Sequence, residues 1–444
     1  MKRTLNIDTV EHAGEEVLIK GWVRLRRDHG KLIFLDIRDR SGILQVVVNP
    51  QVSENAYKLA SELKPEYVVK IKGLVKKRPE SAVNKDLETG IVELEAQEVS
   101  IVSKAKTLPF DMGAQDLNLE LPTLLDHRSL SLRHPKQQAI FEVQAALLEG
   151  FRKAATEIDC REIVVPTIVR GSTEGGAELL EVGYYTHKAF LSQSPQLYKQ
   201  MMVGVFERVW TIAKAYRAEP SVTTRHLSET TQLDCEIGFI EFEELLDMLE
   251  YVAFAMIGHA EKKCSHIISQ FTKEKVLYGK VPRITLQQAQ EIIKKEFGRD
   301  QTREKDLSPQ DEVDVCQWAK KQHKSDFVTV THFPAIAKPF YTMPDPKNPT
   351  LSLSYDLLFR GVEVLSGSQR VHDYEMLLES IKNRELNPDD FRMYLMAFEY
   401  GMPPEGGFSF GLERVTMKLL KLANIRQASL FPRDMERIDE RLSL

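Results

Sequence analysis

The sequence predicts an α+β protein, a small N-terminal β-barrel followed by a larger domain in which an antiparallel sheet is flanked by helices. Three observations carry this expectation. Residues 17–48 are short alternating runs broken at turn signals, a long amphipathic helix begins at Pro135, and residues 216–236 form a charged hairpin behind an apolar strand. At 444 residues the chain is too long for one ordinary core and suits two or three domains.

The barrel comes first. In "VLIKGWVRLRRDHGKLIFLDIRDRSGILQVVV" the alternation breaks at His29-Gly30 and Ser41-Gly42, which are hairpin signals. Two further strand-like runs, "EYVVKIKGLVKKR" and "GIVELEAQEVSIVS", follow a helix-like "SENAYKLASEL". Five short strands within 1–104 suggest a small closed barrel; the oligonucleotide-binding (OB) barrel leads, although any small barrel gives this pattern.

Residues 105–134, rich in Pro, Asp and Leu without a sustained period, read as a hinge. The domain from 135 to 444 opens on a helix with Ile140, Val143, Leu147, Phe151 and Ala154 at helical spacing, then a strand "REIVVP" closed by Pro166. Later strands alternate with helices. Residues 270–325 are charged, helical and low in motifs, an elaboration between core elements.

Composition sets limits. The net charge of −5 gives no hint of a nucleic-acid partner, but residues 1–104 hold 18 Lys/Arg against 16 Asp/Glu, with basic clusters "RLRRDHGK" and "KIKGLVKKRP". No run of eighteen apolar residues offers a transmembrane helix, and the first residues lack the apolar core of a signal peptide. The four cysteines are far apart with no CxxC pair, which argues against a zinc site or disulfide framework and fits a reducing cytoplasm.

Four stretches carry chemistry. In "YRAEPSVTTRHLSETTQLDCE" alternation puts Arg217 and Glu219 on one side; on the returning strand Leu233, Cys235 and Ile237 face one way and Gln232, Asp234 and Glu236 the other. Arg217, with Arg225 and His226 where the loop returns, offers planar forks for phosphate; structural ion pairing is the alternative. In "GSTEGGAELL" and "LSQSPQLYKQ", Glu174 suits an ammonium group, and Gln196 and Lys199 share one face of a helix start. In "YDLLFRGVEVLSGSQRVHD", Glu363 and Ser366 are oxygen donors for a hard cation, and Arg370 suits a carboxylate. In "PPEGGFSFGLERVTMKLLKL" a glycine-rich strand enters a helix bearing Glu413 and Arg414 in its first turn.

In this order, the four pieces resemble the catalytic domain of class II aminoacyl-tRNA synthetases, and within them the aspartyl-tRNA synthetase family. The segment ending at Pro166 looks like the first class motif, "YRAE…TRHLSETTQLDCE" the second and "GFSFGLERV" the third; "GWVRLRRDHGKLIFLDIRDRSGILQVVV" is similar to the family's anticodon-binding OB barrel. The resemblance implies a cytoplasmic homodimeric ligase, with no membrane partner, that uses ATP and Mg2+ to attach L-aspartate to tRNA(Asp). It implies ATP contacts from Arg217, Glu219, Arg225, His226, Leu227, Glu363, Gly411, Leu412, Glu413 and Arg414. Arg217 and Arg414 would serve catalysis, and Glu363 and Ser366 the Mg2+. Aspartate would meet Glu174, Gln196, Lys199, Arg217, Ser366 and Arg370. Arg27, Phe34 and Gln45 would read the anticodon; for Phe34 the structural alternative is a core aromatic.

The chain departs from the family in places. Thr230 stands where many members have an aromatic against adenine, Ser409 replaces a common glycine, and Glu405 a common histidine. The 240–330 segment has no room for the large bacterial insertion, so the chain resembles the short archaeal and eukaryotic type. An asparagine ligase is the nearest rival; a neutral amide gives Lys199 nothing to pair with, which favours aspartate. A non-catalytic RNA-binding paralogue should lack Arg217, Glu363 or Arg414, and all three are present. An asparagine synthetase of the same catalytic fold should lack the barrel. Arg24, where members restricted to one tRNA often carry tryptophan, together with His29 and Glu80, leans toward relaxed recognition that includes tRNA(Asn).

Overall fold

The computed structural model describes residues 1–171, 179–218 and 222–442. The chain forms two compact units, Met1–Glu120 and Leu121–Leu444.

In the first unit five strands close into a barrel: β1 (Glu16–His29), β2 (Leu32–Asp39), β3 (Gly42–Val48), β4 (Val68–Lys77) and β5 (Val92–Ser103), with α1 (Glu54–Glu62) between β3 and β4. Their order is β1-β2-β3-β5-β4, closed by the antiparallel β1–β4 pair. Gly30 and Gly42 take the positive φ that the two tight turns demand, at 64° and 140°. The alternation sends Val17, Ile19, Ile33, Leu35, Ile37, Leu44 and Val46 inward, into one apolar cluster. Their neighbours Phe34, Asp36 and Gln45 point outward and are half-buried, so Phe34 is no core aromatic.

The stretch read as a hinge divides at Glu120. Beyond it, short helices at Leu121–Asp126 and Arg128–Ser131 belong to the second unit, where buried Arg128 donates to the carbonyls of Ser429 (2.7 Å) and Leu430 (2.8 Å). The long helix α2 runs Pro135–Glu157; Pro135 occupies its first turn, and the His134 ring accepts from Lys136 N. Ile140, Val143, Leu147, Phe151 and Ala154 all enter the main core.

The second unit is built on an eight-stranded sheet. Its strands are β6 (Arg161–Glu162), β7 (Arg208–Tyr216), β8 (Glu229–Gly238), β9 (Arg283–Thr285), β10 (Phe327–Thr331), β11 (Ser354–Phe359), β12 (Val362–Gln369) and β13 (Glu405–Gly411). The spatial order is β9-β10-β11-β12-β13-β8-β7-β6. The six central strands are antiparallel; the outer pairs β9–β10 and β6–β7 are parallel, so the sheet is mixed at its edges. The strand expected across "REIVVP" shrinks to Arg161–Glu162, because only two residues pair with β7 and Val164 is already fully exposed.

Helix α2 and the helix at Phe242–Lys263 cover one face of this sheet, meeting Leu233, Cys235, Ile237, Leu357, Phe408 and Phe410. The opposite face carries the site. Residues 270–325 are more than decoration: β9 and the helices Leu286–Phe297 and Pro309–His323 extend the sheet and bury their own cluster around Ile293, Val315 and Val330. All four cysteines are free and buried. Among the described residues, no helix is long and apolar enough to cross a membrane.

Candidate active site

A cavity of about 400 Å3 opens over the uncovered face of the sheet. Twelve of the residues picked out by the sequence line it: Gln196, Lys199, Arg217, Arg225, His226, Leu227, Glu363, Ser366, Arg370, Gly411, Glu413 and Arg414. Leu412 does not, because as the first residue of its helix (Leu412–Leu419) it turns into the core. Glu174 and Glu219 lie outside the described residues.

Strand pleating and one bulge assemble this floor. Asp234 pairs across to Ser409, Ser409 to Ser366, and Ser366 to Asp356, making a polar row over four strands. Glu363 and Ser366 are three apart and would face opposite ways on a regular strand. The register of β12 against β11 slips at Val364, and that extra residue returns Glu363 to the side of Ser366.

At one end of the cavity lies a buried ionic cluster. Lys199, carried by the helix Gln196–Phe206, sits 2.7 Å from Asp234 Oδ1 and 3.1 Å from Glu236 Oε2. Arg370 donates to Glu236 through Nε at 2.7 Å and Nη2 at 3.2 Å, and also to Ser368 Oγ, Gln196 Oε1 and the Gly407 carbonyl. Its guanidinium lies over the Tyr341 ring, 5.3 Å from the centroid. Gly407 makes room for this: a Cβ there would fall 2.1 Å from Glu236 Oε2. Burial pushes the Asp234 carboxyl above the ordinary carboxylate range, only partly offset by Lys199. Burial pushes the same way at Glu236, but the charges of Arg370 and Lys199 prevail and hold it low.

One expectation needs correction. Lys199 lines the cavity but is not an unpaired charge awaiting a ligand, since two buried acidic groups already lie beside it. Its presence therefore does not by itself reject a neutral amide.

Arg217 lines the same cavity, and Arg225 and Arg414 meet there around Glu363. Arg414 donates to the Glu363 carbonyl at 3.0 Å and approaches its carboxylate at 3.4 Å. Arg225 pairs with Glu312, whose Oε2 also accepts from Glu363 N at 2.9 Å. Burial raises the Glu312 carboxyl to about 7 despite Arg225. Glu413, in the cavity lining, accepts from Thr231 N through both oxygens, at 3.1 and 3.0 Å, and so ties its helix to β8. His226 Nδ1 lies 2.8 Å from Thr223 Oγ1. Leu227 packs against Val362, Met417 and Ile425.

The oxygen donors suit a hard cation that completes its shell from a ligand's phosphates. Glu363 and Ser366 share a face, and Asp356, the register partner of Ser366, accepts from Lys338 Nζ at 3.2 Å through Oδ2 and keeps a buried Oδ1 with no hydrogen-bond partner. Among the described residues, no three His, Cys, Asp or Glu side chains form a metal cluster by themselves.

On the barrel, Arg27 and Phe34 are direct partners across β1 and β2. Arg27 donates to Asp36 at 2.8 Å and reaches Gln45 Oε1 at 3.5 Å, and Gln45 donates to Glu93 at 3.1 Å. The His29 ring lies 6.5 Å from that of Phe34. Arg24 stands at a bulge in β1, and Glu80 opens a separate exposed turn, Glu80–Ala82.

Sequence reading gave no role to Glu312, Asp356 or Gln200. The alternation already put Asp234 and Glu236 on the polar side, so their place was within reach. Nothing local marks Glu312, which meets Arg225 from 87 residues away.

Comparison with known proteins agrees with this geometry. Residues 120–435 match the model of "tRNA synthetases class II (D, K and N)", and residues 17–102 that of "OB-fold nucleic acid binding domain". The aspartate–tRNA(Asp/Asn) ligase of Thermus thermophilus is 41% identical, over 98% of this chain and 99% of the relative. The aspartate–tRNA(Asp) ligase of Pyrococcus horikoshii is 38% identical over 97% of each. Among solved structures, asparaginyl-tRNA synthetase from Pyrococcus horikoshii complexed with asparaginyl-adenylate aligns with a TM-score of 0.88 at 30% identity, covering 96% of this chain and 97% of that one. Aspartyl tRNA synthetase from Entamoeba histolytica aligns at 0.85 and 30%, covering 99% and 93%. The chain belongs to the class II tRNA synthetases of the D, K and N group, joined to an OB-fold nucleic acid binding domain.

Proposed function

We propose that this chain is an ATP-dependent ligase that activates L-aspartate as aspartyl-adenylate and transfers it to the 3′ end of tRNA(Asp), and also of tRNA(Asn). The observation that carries the reading is the fixed, buried pair Lys199 and Arg370 in the lining of a cavity that Arg217, Arg225 and Arg414 also line. The first pair suits the side-chain carboxylate, the second group a triphosphate.

In the first step the α-carboxylate of aspartate attacks the α-phosphorus in line and pyrophosphate leaves. A carboxylate is already a nucleophile, so no general base is needed; positioning and charge neutralisation supply the acceleration. Arg217 takes the α-phosphate, while Arg225 and Arg414 hold the distal phosphates; Arg225 must leave Glu312 to do so. Mg2+ held by Glu363 and Ser366 would neutralise phosphate charge. In the second step a hydroxyl of the terminal adenosine attacks the activated carbonyl and AMP departs.

Phe34, Arg27 and Gln45 present a stacking face with hydrogen-bonding groups, suited to a splayed anticodon base. The extension to tRNA(Asn) rests on Arg24, His29 and Glu80, and on relatives of both names at 38–41% identity. A cytoplasmic homodimer completes the proposal.

The test is aminoacylation of tRNA(Asp) and tRNA(Asn) transcripts, each with aspartate and with asparagine. Aspartate should be attached to both and asparagine to neither. Attachment of asparagine overturns the amino-acid assignment, and an uncharged tRNA(Asn) removes the relaxed recognition alone.

A further inference from the structure

Glu405 is the first residue of β13, and it is fully buried. Its Oε1 accepts from Gln200 Nε2 at 3.0 Å, while Oε2 has no hydrogen-bond partner. Gln200 Oε1 in turn accepts from Gln196 Nε2 at 2.9 Å and from the Tyr394 hydroxyl at 3.1 Å. Gln196 Oε1 accepts from Arg370. An unbroken relay of oriented amides thus joins a buried acid to the guanidinium at the end of the cavity.

The charges facing this acid come from three neighbours. Strand β8 contributes Glu236, the end of β12 leads into Arg370, and the helix Gln196–Phe206 contributes Lys199; the Tyr394 hydroxyl adds a titratable group from the helix Arg392–Glu399. Lys199 and Arg370 are already matched by Asp234 and Glu236. A third buried carboxylate would leave the cluster with an excess negative charge, beside the place proposed for a ligand carboxylate.

We propose that Glu405 works as an uncharged acid, a positioning residue whose proton keeps the amino-acid side-chain pocket free of net negative charge while its other oxygen orients Gln200 and Gln196 toward Arg370. Two observations support the neutral form. An ionised oxygen without a partner is far costlier to bury than a protonated one. Burial first, and then the like charge of Glu236, push this carboxyl well above the ordinary range. Ionisation of Glu405 then opposes a substrate carboxylate but not a neutral amide, so this one proton helps select between the two. The inference rests on the reading of Gln196, Lys199 and Arg370 as the side-chain pocket.

The test is aspartate-dependent pyrophosphate exchange from neutral to alkaline pH, in wild type, Glu405→Gln and Glu405→Asp. In wild type, KM for aspartate should rise by about tenfold per pH unit once Glu405 ionises, while KM for ATP does not follow. Glu405→Gln should lose that rise, and Glu405→Asp should keep one at a displaced pH. Loss of the substrate's own ammonium proton affects all three alike and cancels in the comparison. Superimposed profiles for wild type and Glu405→Gln overturn the proposal. Should Glu405→Gln fail to fold, a Glu405→Asp profile unmoved from wild type overturns it equally. No exchange with aspartate at any pH in wild type would instead sink the substrate assignment.

Discussion

Lys199 Nζ lies 2.7 Å from Asp234 Oδ1, and neither side chain reaches solvent. With Glu236 on its other side, the ammonium is as much a structural counter-ion as a ligand for substrate. Lys199→Leu therefore leaves two buried carboxylates short of a partner and should cost about 3–5 kcal/mol of folding stability. In the protein that remains folded, KM for aspartate should rise far more than KM for ATP. Denaturant unfolding and pyrophosphate exchange measure the two effects separately. Equal losses for both substrates would remove Lys199 from the amino-acid pocket.

Glu312 gives a pH signature. Its carboxyl is raised from 4.5 to about 7 by burial, so the folded state holds a proton that the unfolded chain has released. The stability this proton contributes is full below the ordinary carboxylate pKa and is lost as pH rises through about 7. Glu312→Gln should flatten the fall in stability between those limits, read as the difference in urea midpoint between variant and wild type. The same substitution frees Arg225 and should lower KM for ATP at neutral pH. An unchanged midpoint difference across that range would refute the titration.

Phe34 tests the barrel. Phe34→Ala removes an outward, half-buried ring without opening the core, so the unit should stay folded. Losing one base stack costs about 1–3 kcal/mol, seen as a higher KM for tRNA. Amino-acid-dependent pyrophosphate exchange should be untouched. A tRNA dependence equal to wild type would separate this face from anticodon reading.

Much of this protein is written locally. Alternation and turn glycines gave the barrel, helical spacing after Pro135 gave the main core helix, and Arg217, Lys199, Glu363, Arg370 and Arg414 stand out by residue type. Such signals need only neighbours within a few residues, because backbone geometry repeats every two or 3.6 positions. The tertiary structure alone decided the rest. A bulge at Val364 turned Glu363 toward Ser366, strand order brought Glu236 to Lys199 and Arg370, and Glu312 reached Arg225 from an apparently featureless segment. Burial and charged partners then pulled two neighbouring acids apart: Arg370 and Lys199 hold Glu236 low against burial, while burial and the charge of Glu236 push Glu405 well above the ordinary carboxylate range. Charge state depends on solvent exclusion and on partners far away in sequence, and no local pattern encodes either.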